Sequence, residues 1–140
     1  MLFLKKYVFC LYAVMWLLRI KLLLKIFPYK KVIHTVNRWA GKQKKILQNK
    51  TFTALKVCRL IEKCAKILPL TFRCLSRALT GYIICRRYGF KVYLKMGSMQ
   101  TKTNGFTAHA WLELNNQIIM GNLPNIESYF EFDMRKMNFT

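Results

Sequence analysis

The spacing of apolar residues changes once along this chain, and that change limits the folds that it can adopt. Up to about residue 87 the apolar positions recur every three or four residues, as they do on one face of a helix. From about residue 90 they alternate with polar residues, as in half-buried strands. Helices followed by a small antiparallel sheet predict an α+β domain. With 140 residues, the chain is long enough to bury a core that is stable without disulfide bonds or metal ions.

The first predicted helix covers about residues 2–27 and ends before Pro28, which cannot continue it. Its longest uncharged run, residues 7–18, is shorter than the roughly 20 residues that a membrane-spanning helix needs. No small-residue cleavage site follows it, so we predict neither a span nor a cleaved signal peptide. We expect this helix to cover the core or to bind a partner protein. A peripheral position on a membrane surface stays open as an alternative.

The charge balance is strongly positive, with 25 Lys and Arg against 5 Asp and Glu and a formal net charge of +20. Such a chain attracts polyanions, anionic lipid head groups or acidic peptides. We expect no specific nucleic-acid partner, because lysine clusters bind phosphates without reading sequence. The basic segment after Pro28 predicts a second helix that ends near Gly41, with His34 solvated on it, and residues 42–50 read as a solvated connector. We therefore divide the chain into a basic helical lead-in, residues 1–50, and a core, residues 51–140, within one unit.

Five cysteines, at positions 10, 58, 64, 74 and 85, include no pair separated by two residues. An odd number without such a pair is a poor disulfide framework and a poor zinc site. We expect reduced thiols in a cytoplasmic protein, and neither a metal nor a cofactor. Cys58 and Cys64 fall within the apolar stripe of a third predicted helix, which predicts that they belong to the core.

Cys74 lies in the first turn of a fourth predicted helix, which begins after Pro69 and ends near Gly89. Unpaired backbone N–H groups and the helix dipole favour an anion at this position. Arg73 and Arg77 add positive charge, and together these features stabilise a thiolate, the reactive form of cysteine. Cys85 lies near the opposite end of the same helix, where the dipole disfavours a thiolate.

His109 lies in the alternating segment FTAHAWLEL, where a strand has no structural need for an imidazole. We predict strands over residues 90–97, 108–114 and 117–120, a polar loop over residues 98–105, and a two-residue turn at Asn115 and Asn116. A helix that begins with Cys, followed by an antiparallel sheet that carries His, is the layout of papain-like and transglutaminase-like thiol sites. In such sites a base on the sheet faces a thiol on the first turn of a packed helix.

Residues 74–121 resemble the leader peptidases of lasso-peptide biosynthesis, the stand-alone B-type maturation proteins of the transglutaminase-like superfamily. The matching features are CL-x-RAL at the helix start, a strand that ends in Met96 and Gly97, F-x-AHAWLE around His109, and the hairpin behind it. WLLRIKLLLKIFPYKKV is similar to the helical lead-in of that family. The resemblance implies a bacterial cysteine protease that removes the leader from a ribosomal precursor peptide. A partner macrolactam synthetase then closes the ring.

Fused members of the family carry an N-terminal winged-helix domain that binds the leader. The first 70 residues of this chain show no strand pattern of that kind. The resemblance therefore also implies a separate leader-recognition protein. The family commonly places an Asp about a dozen residues after the His, where this chain reads Met120, Gly121 and Asn122. A two-residue turn pairs Leu114 with Gln117, and counting back pairs His109 with Asn122. We therefore expect Asn122 to orient the imidazole. The alternatives are Glu113, on the same strand face as His109, and Asp133 in the tail.

The predicted chemistry is acyl transfer to water, with Cys74 as nucleophile and His109 as base. The backbone N–H of Cys74 is the expected oxyanion donor. A transglutaminase-like acyltransferase would use the same residues with an amine acceptor. A non-enzymatic basic module that binds nucleic acid or anionic membrane would leave Cys74 and His109 without a role.

Overall fold

A computed structural model of the protein describes residues 2–41, 51–103 and 105–132. Four α-helices precede four strands, and a short 3-10 helix lies before the last strand. The bounds are α1 Leu2–Ile26, α2 Tyr29–Ala40, α3 Thr51–Ile67, α4 Cys74–Arg87, β1 Tyr93–Gln100, β2 Phe106–Leu114, β3 Gln117–Met120 and β4 Phe130–Glu131. The predicted α+β class, with a cysteine at the start of a helix and a small antiparallel sheet, is confirmed. The connector predicted over residues 42–50 and Asp133 lie outside the described residues.

The sheet has the strand order β3-β2-β1-β4, and each described pairing is antiparallel. The first strand was predicted too early, because β1 begins at Tyr93 and continues through Gln100 into the segment predicted as a loop. It pairs with β2 from Tyr93↔Glu113 to Gln100↔Phe106, so main-chain hydrogen bonds extend the polar segment as a strand. Sequence reasoning missed β4, which is only two residues long.

Helix α4 packs across the sheet and forms the centre of the core. Leu79, Ile83 and Ile84 are fully buried on it. Gly81 allows the close approach to β2, because a Cβ at that position would lie 2.8 Å from Leu112 Cδ1 and 3.0 Å from the Met120 side chain. The predicted stop near Gly89 is confirmed by φ +90° at Gly89 and by the hydrogen bond from Phe90 N to Cys85 O of 2.9 Å.

Helix α1 is apolar on two opposite sides. One side carries Ala13, Leu17 and Ile20, all fully buried, and Trp16 beside them, so α1 belongs to the same core as α3 and α4. The other side carries large apolar side chains exposed to solvent at a spacing of three or four residues, which we call the outer stripe. Its members are Leu4, Val8, Leu11, Met15, Leu18, Leu22 and Ile26.

The described helix over Phe3–Ile26 is long and apolar enough to cross a membrane, judged by length and composition alone. Mostly buried core helices and signal sequences pass the same test, and 22% of the apolar window of this helix is buried. The buried side of α1 belongs to the domain core. Residues of the predicted lead-in, such as Val32 and Val36 on α2, share this core with residues after position 50.

Two neighbouring leucines on α1 test whether this helix is part of the folded domain. Leu17→Ala should lower the free energy of unfolding by about 2–5 kcal/mol, because it opens a cavity in the core. Leu18→Ala, at a position that is 42% exposed, should cost less than about 1 kcal/mol. Chemical denaturation followed by circular dichroism measures both values. Equal effects of the two substitutions would show that α1 does not pack as described.

Candidate functional site

Cys74 and His109 line the same cleft, which has a volume of about 560 Å³. The cleft runs between α3, the start of α4, and the end of the β2–β3 hairpin. Asn122 also lines it, so all three residues predicted for the site come together here. The remaining lining residues are Leu55, Cys58, Arg59, Glu62, Lys66, Arg77, Ala110, Ile118, Ile119, Met120, Gly121 and Leu123.

Cys74 is the first residue of α4 and is partly exposed to solvent. The preceding residue, Arg73, has an extended backbone at the N-cap and makes no side-chain capping hydrogen bond. The first helical hydrogen bond described after the cap is donated by Arg77 N to Arg73 O at 3.2 Å. The backbone N–H groups before Arg77 therefore point out of the helix start without partners within the helix, where they stabilise negative charge.

The hairpin turn has the predicted form, but the register beyond it differs from the prediction. Asn115 and Asn116 have φ values of 51° and 61°, as a two-residue type I′ turn requires, and Leu114 pairs with Gln117. A bulge between Leu112 and Glu113 then shifts the register by one residue, so Leu112 pairs with Met120. The predicted pairing of His109 with Asn122 is therefore wrong. The extra residue lies on β3, and turn geometry alone does not reveal it.

The imidazole of His109 is held by a backbone carbonyl. His109 Nε2 lies 2.6 Å from Gly121 O. A carbonyl oxygen can only accept a hydrogen bond, so Nε2 carries the proton and donates it. In the neutral ring Nδ1 is then unprotonated and can take a proton from a thiol. Within the described residues, no hydrogen bond joins the His109 ring to the Asn122 side chain, which is exposed.

Sequence reasoning missed Gly121 because the group that it contributes belongs to the backbone. Gly121 has φ +80°, a conformation that favours glycine. A Cβ at this position would lie 2.8 Å from Ala110 O and 3.1 Å from Trp111 Cβ. The Gly121 carbonyl can therefore turn towards His109 only because residue 121 has no side chain. A glycine directly after a short strand was the one available signal.

Two aromatic rings fix the plane of the His109 ring. Trp111 is stacked nearly parallel to it, at 17° with centroids 6.2 Å apart, and Tyr129 lies on it at a tilt with centroids 5.8 Å apart. Glu113, the alternative orienting group, accepts a hydrogen bond of 3.0 Å from Trp111 Nε1. No hydrogen bond between this carboxylate and the His109 ring occurs among the described residues.

A family model described as the transglutaminase-like superfamily matches residues 14–132, which is most of the chain. The chain belongs to the transglutaminase-like superfamily. A search of curated proteins and a search of solved structures returned no match. The matched residues include the start of α4, the whole of β2 and Gly121, so the site described above lies within the superfamily domain.

One arginine near Cys74 forms an ion pair within this superfamily domain. Arg77 Nη1 donates to Glu62 Oε2 at 2.8 Å, and both side chains are mostly shielded from solvent. Glu62 thus offsets part of the positive charge that we expected Arg77 to add near Cys74. Arg73 is exposed and makes no ion pair with the described residues.

Other thiols of the domain are held in the unreactive protonated form. A hydrogen bond with Cys85, together with burial, raises the pKa of Cys58 far above its usual range. Burial raises the pKa of Cys64 to about 12. His34 is exposed on α2 and does not line the cleft. Among the described residues, no cluster of three or more potential ligands for a metal ion occurs.

Orientation of the His109 ring by the Gly121 carbonyl and orientation by the Asn122 amide predict different tautomers of His109 when Asn122 is replaced. If the carbonyl fixes the tautomer, Asn122→Ala should leave the neutral ring protonated at Nε2. The ring ¹⁵N chemical shifts of His109 in wild-type and Asn122→Ala protein measure this directly. A change to the Nδ1-protonated form in the variant would instead assign the orienting role to Asn122.

Proposed function

We propose that this protein is a cysteine peptidase that removes the leader from a ribosomal precursor peptide during lasso-peptide maturation. The observation that carries the proposal is one cleft lined both by a thiol at an uncapped helix start and by an imidazole whose Nε2 donates to Gly121 O. Membership of the superfamily supports thiol chemistry. The motifs CL-x-RAL and F-x-AHAWLE support the narrower assignment, because they resemble those of the lasso leader peptidases.

In the proposed reaction, Cys74 is the nucleophile and His109 is the general base. His109 Nδ1 takes the thiol proton, and the thiolate attacks the carbonyl carbon at the junction between leader and core. The negative oxygen of the tetrahedral intermediate accepts a hydrogen bond from the Cys74 backbone N–H. The imidazolium then gives its proton to the leaving amine. A water molecule, deprotonated by His109, hydrolyses the thioester and frees the thiol.

In this cycle the group that orients His109 is a neutral carbonyl and not a carboxylate. Gly121 O orients the ring and accepts the Nε2 proton, but it has no full negative charge with which to stabilise the imidazolium. A carboxylate would do both. We propose that Asn122 contributes to the site as a cleft residue beside this carbonyl, in the part of the cleft that receives substrate.

Partners outside the described chain follow from the same assignment. We propose that a separate protein recognises the leader, and that the macrolactam synthetase of the same pathway takes the freed core peptide in the cytoplasm. The outer stripe of α1 offers such a protein an apolar docking face, since large exposed apolar patches mark interaction sites. Release from a cell membrane fraction by carbonate would indicate peripheral attachment to the membrane, and a need for detergent would indicate insertion.

Precursor processing tests the proposed residues. Cys74→Ala and His109→Ala should each lower the rate of leader removal by several orders of magnitude, because a nucleophile and its base act as one unit. Cys85→Ala and His34→Ala serve as controls, since Cys85 is fully buried and His34 lies on another face. The assay is mass spectrometry of a lasso-type precursor peptide incubated with each protein.

Two outcomes of that assay would change the assignment. Leader removal by the Cys74→Ala protein at the wild-type rate would exclude the thiol mechanism. Formation of an amide when a primary amine is added, in place of the free acid, would assign the protein to acyltransferases, which form the same thioester but transfer it to an amine.

A further inference from the structure

A second cavity lies on the other side of the nucleophile, between α1 and the start of α4. Its volume is about 610 Å³, and we call it the basic cavity. Cys74 does not line it, but the residues on either side of Cys74 do, so the basic cavity lies at the same end of α4 as the thiol. Its lining residues are Lys21, Leu24, Lys25, Thr71, Arg73, Leu75 and Ser76.

The charged groups of the basic cavity all have the same sign. Lys21 and Lys25 come from α1, and Arg73 comes from the N-cap of α4. No Asp or Glu is among the lining residues. Lys21 is held in place, because its Nζ donates to Thr71 O at 2.7 Å and lies 5.0 Å from the Phe72 ring centroid. A cavity with this lining attracts an anion.

Ser76 provides an independent sign of a ligand. It is 5% exposed, and no described residue forms a hydrogen bond with its hydroxyl, whose oxygen is not among the fully buried unpaired atoms of the domain. A hydroxyl that is still accessible and has no protein partner can donate a hydrogen bond to an anion. Ser76 lines the basic cavity and is the third residue of α4, next to the unpaired N–H groups of the first turn. An anionic oxygen in the cavity would accept hydrogen bonds from both.

We propose that the basic cavity binds a carboxylate of the substrate peptide, on an Asp or Glu side chain close to the cleaved bond. The inference rests on the proposed function for the identity of the substrate as a peptide. A peptide held with its cleaved bond at Cys74 passes the start of α4, where Lys25, Arg73 and Ser76 face the cavity. The side chain of Ser76 and the two cations then select an acidic residue over a neutral one.

In this arrangement, part of the large positive charge of the chain serves to bind the substrate carboxylate. The arrangement also gives α1 a place in the substrate site, because Lys21 and Lys25 lie on the helix whose buried side completes the core. Loss of α1 would then remove both core packing and substrate recognition.

Binding is tested without catalysis in the Cys74→Ala protein, with succinate as the carboxylate probe and chloride at equal ionic strength as the reference. Succinate should cause saturable shifts of the Leu75 and Ser76 amide signals in ¹⁵N-resolved spectra. The double substitution Lys25→Gln with Arg73→Gln should abolish them. The control, Lys5→Gln with Lys6→Gln, removes the same charge from the distant end of α1 and should preserve them.

Several results would overturn the proposal. They are the absence of a saturable shift, equal loss in both double variants, or a response to inorganic phosphate where succinate gives none. The last result would assign the cavity to a phosphate or a lipid head group. Because the Cys74→Ala protein has no nucleophile, none of these results depends on the proposed peptidase activity.

A second measurement places the site beside the thiol. Iodoacetate carries a carboxylate and iodoacetamide does not, so the ratio of their alkylation rates at Cys74 reports on nearby anion binding. Lys25→Gln with Arg73→Gln should lower this ratio by roughly threefold or more through the loss of two nearby charges. The ratio should be unchanged by Lys5→Gln with Lys6→Gln. Equal ratios in all three proteins would contradict an anion subsite next to Cys74.

Discussion

Helix α4 lies against strand β2 at a distance that only a glycine allows, since a Cβ on Gly81 would come within 2.8 Å of Leu112 Cδ1. This contact sets the position of the first turn of α4 relative to the sheet. Cys74 is at that first turn, and His109 is on β2, three residues before Leu112. The hydrogen bond from His109 to Gly121 O orients the imidazole within the hairpin but does not set its distance from Cys74. The relative position of Cys74 and His109 therefore depends on the packing between the helix and the sheet.

Much of this arrangement could be predicted from the spacing of apolar residues, because that spacing indicates which side chains are buried. The helical spacing of apolar residues gave α1 to α4, and Asn115 with Asn116 gave the turn, since asparagine tolerates positive φ. Three features could not be predicted. They are the bulge on β3, the two-residue strand β4, and the backbone carbonyl that binds His109. For the carbonyl, the one available signal was the glycine directly after a short strand.

Positive charge and apolar surface lie on the same element in this protein. Helix α1 packs one side into the core, exposes an apolar stripe on the other, and contributes Lys21 and Lys25 to the basic cavity. Residues 2–41 contain no Asp or Glu, so nothing on α1 or α2 neutralises these cations. The lead-in helices are thus part of the same folded unit as the site and supply part of its surface.

We propose that α4 and β2 bring Cys74 and His109 together as a reactive pair. The rate at which iodoacetamide alkylates each cysteine near neutral pH, followed by mass spectrometry, tests it most directly. Cys74 should react far faster than Cys58 and Cys64, whose raised pKa values keep them protonated, and His109→Ala should slow Cys74 without affecting the others. A Cys74 that reacts no faster than the partly exposed Cys10, or that keeps its rate in His109→Ala, would contradict the account.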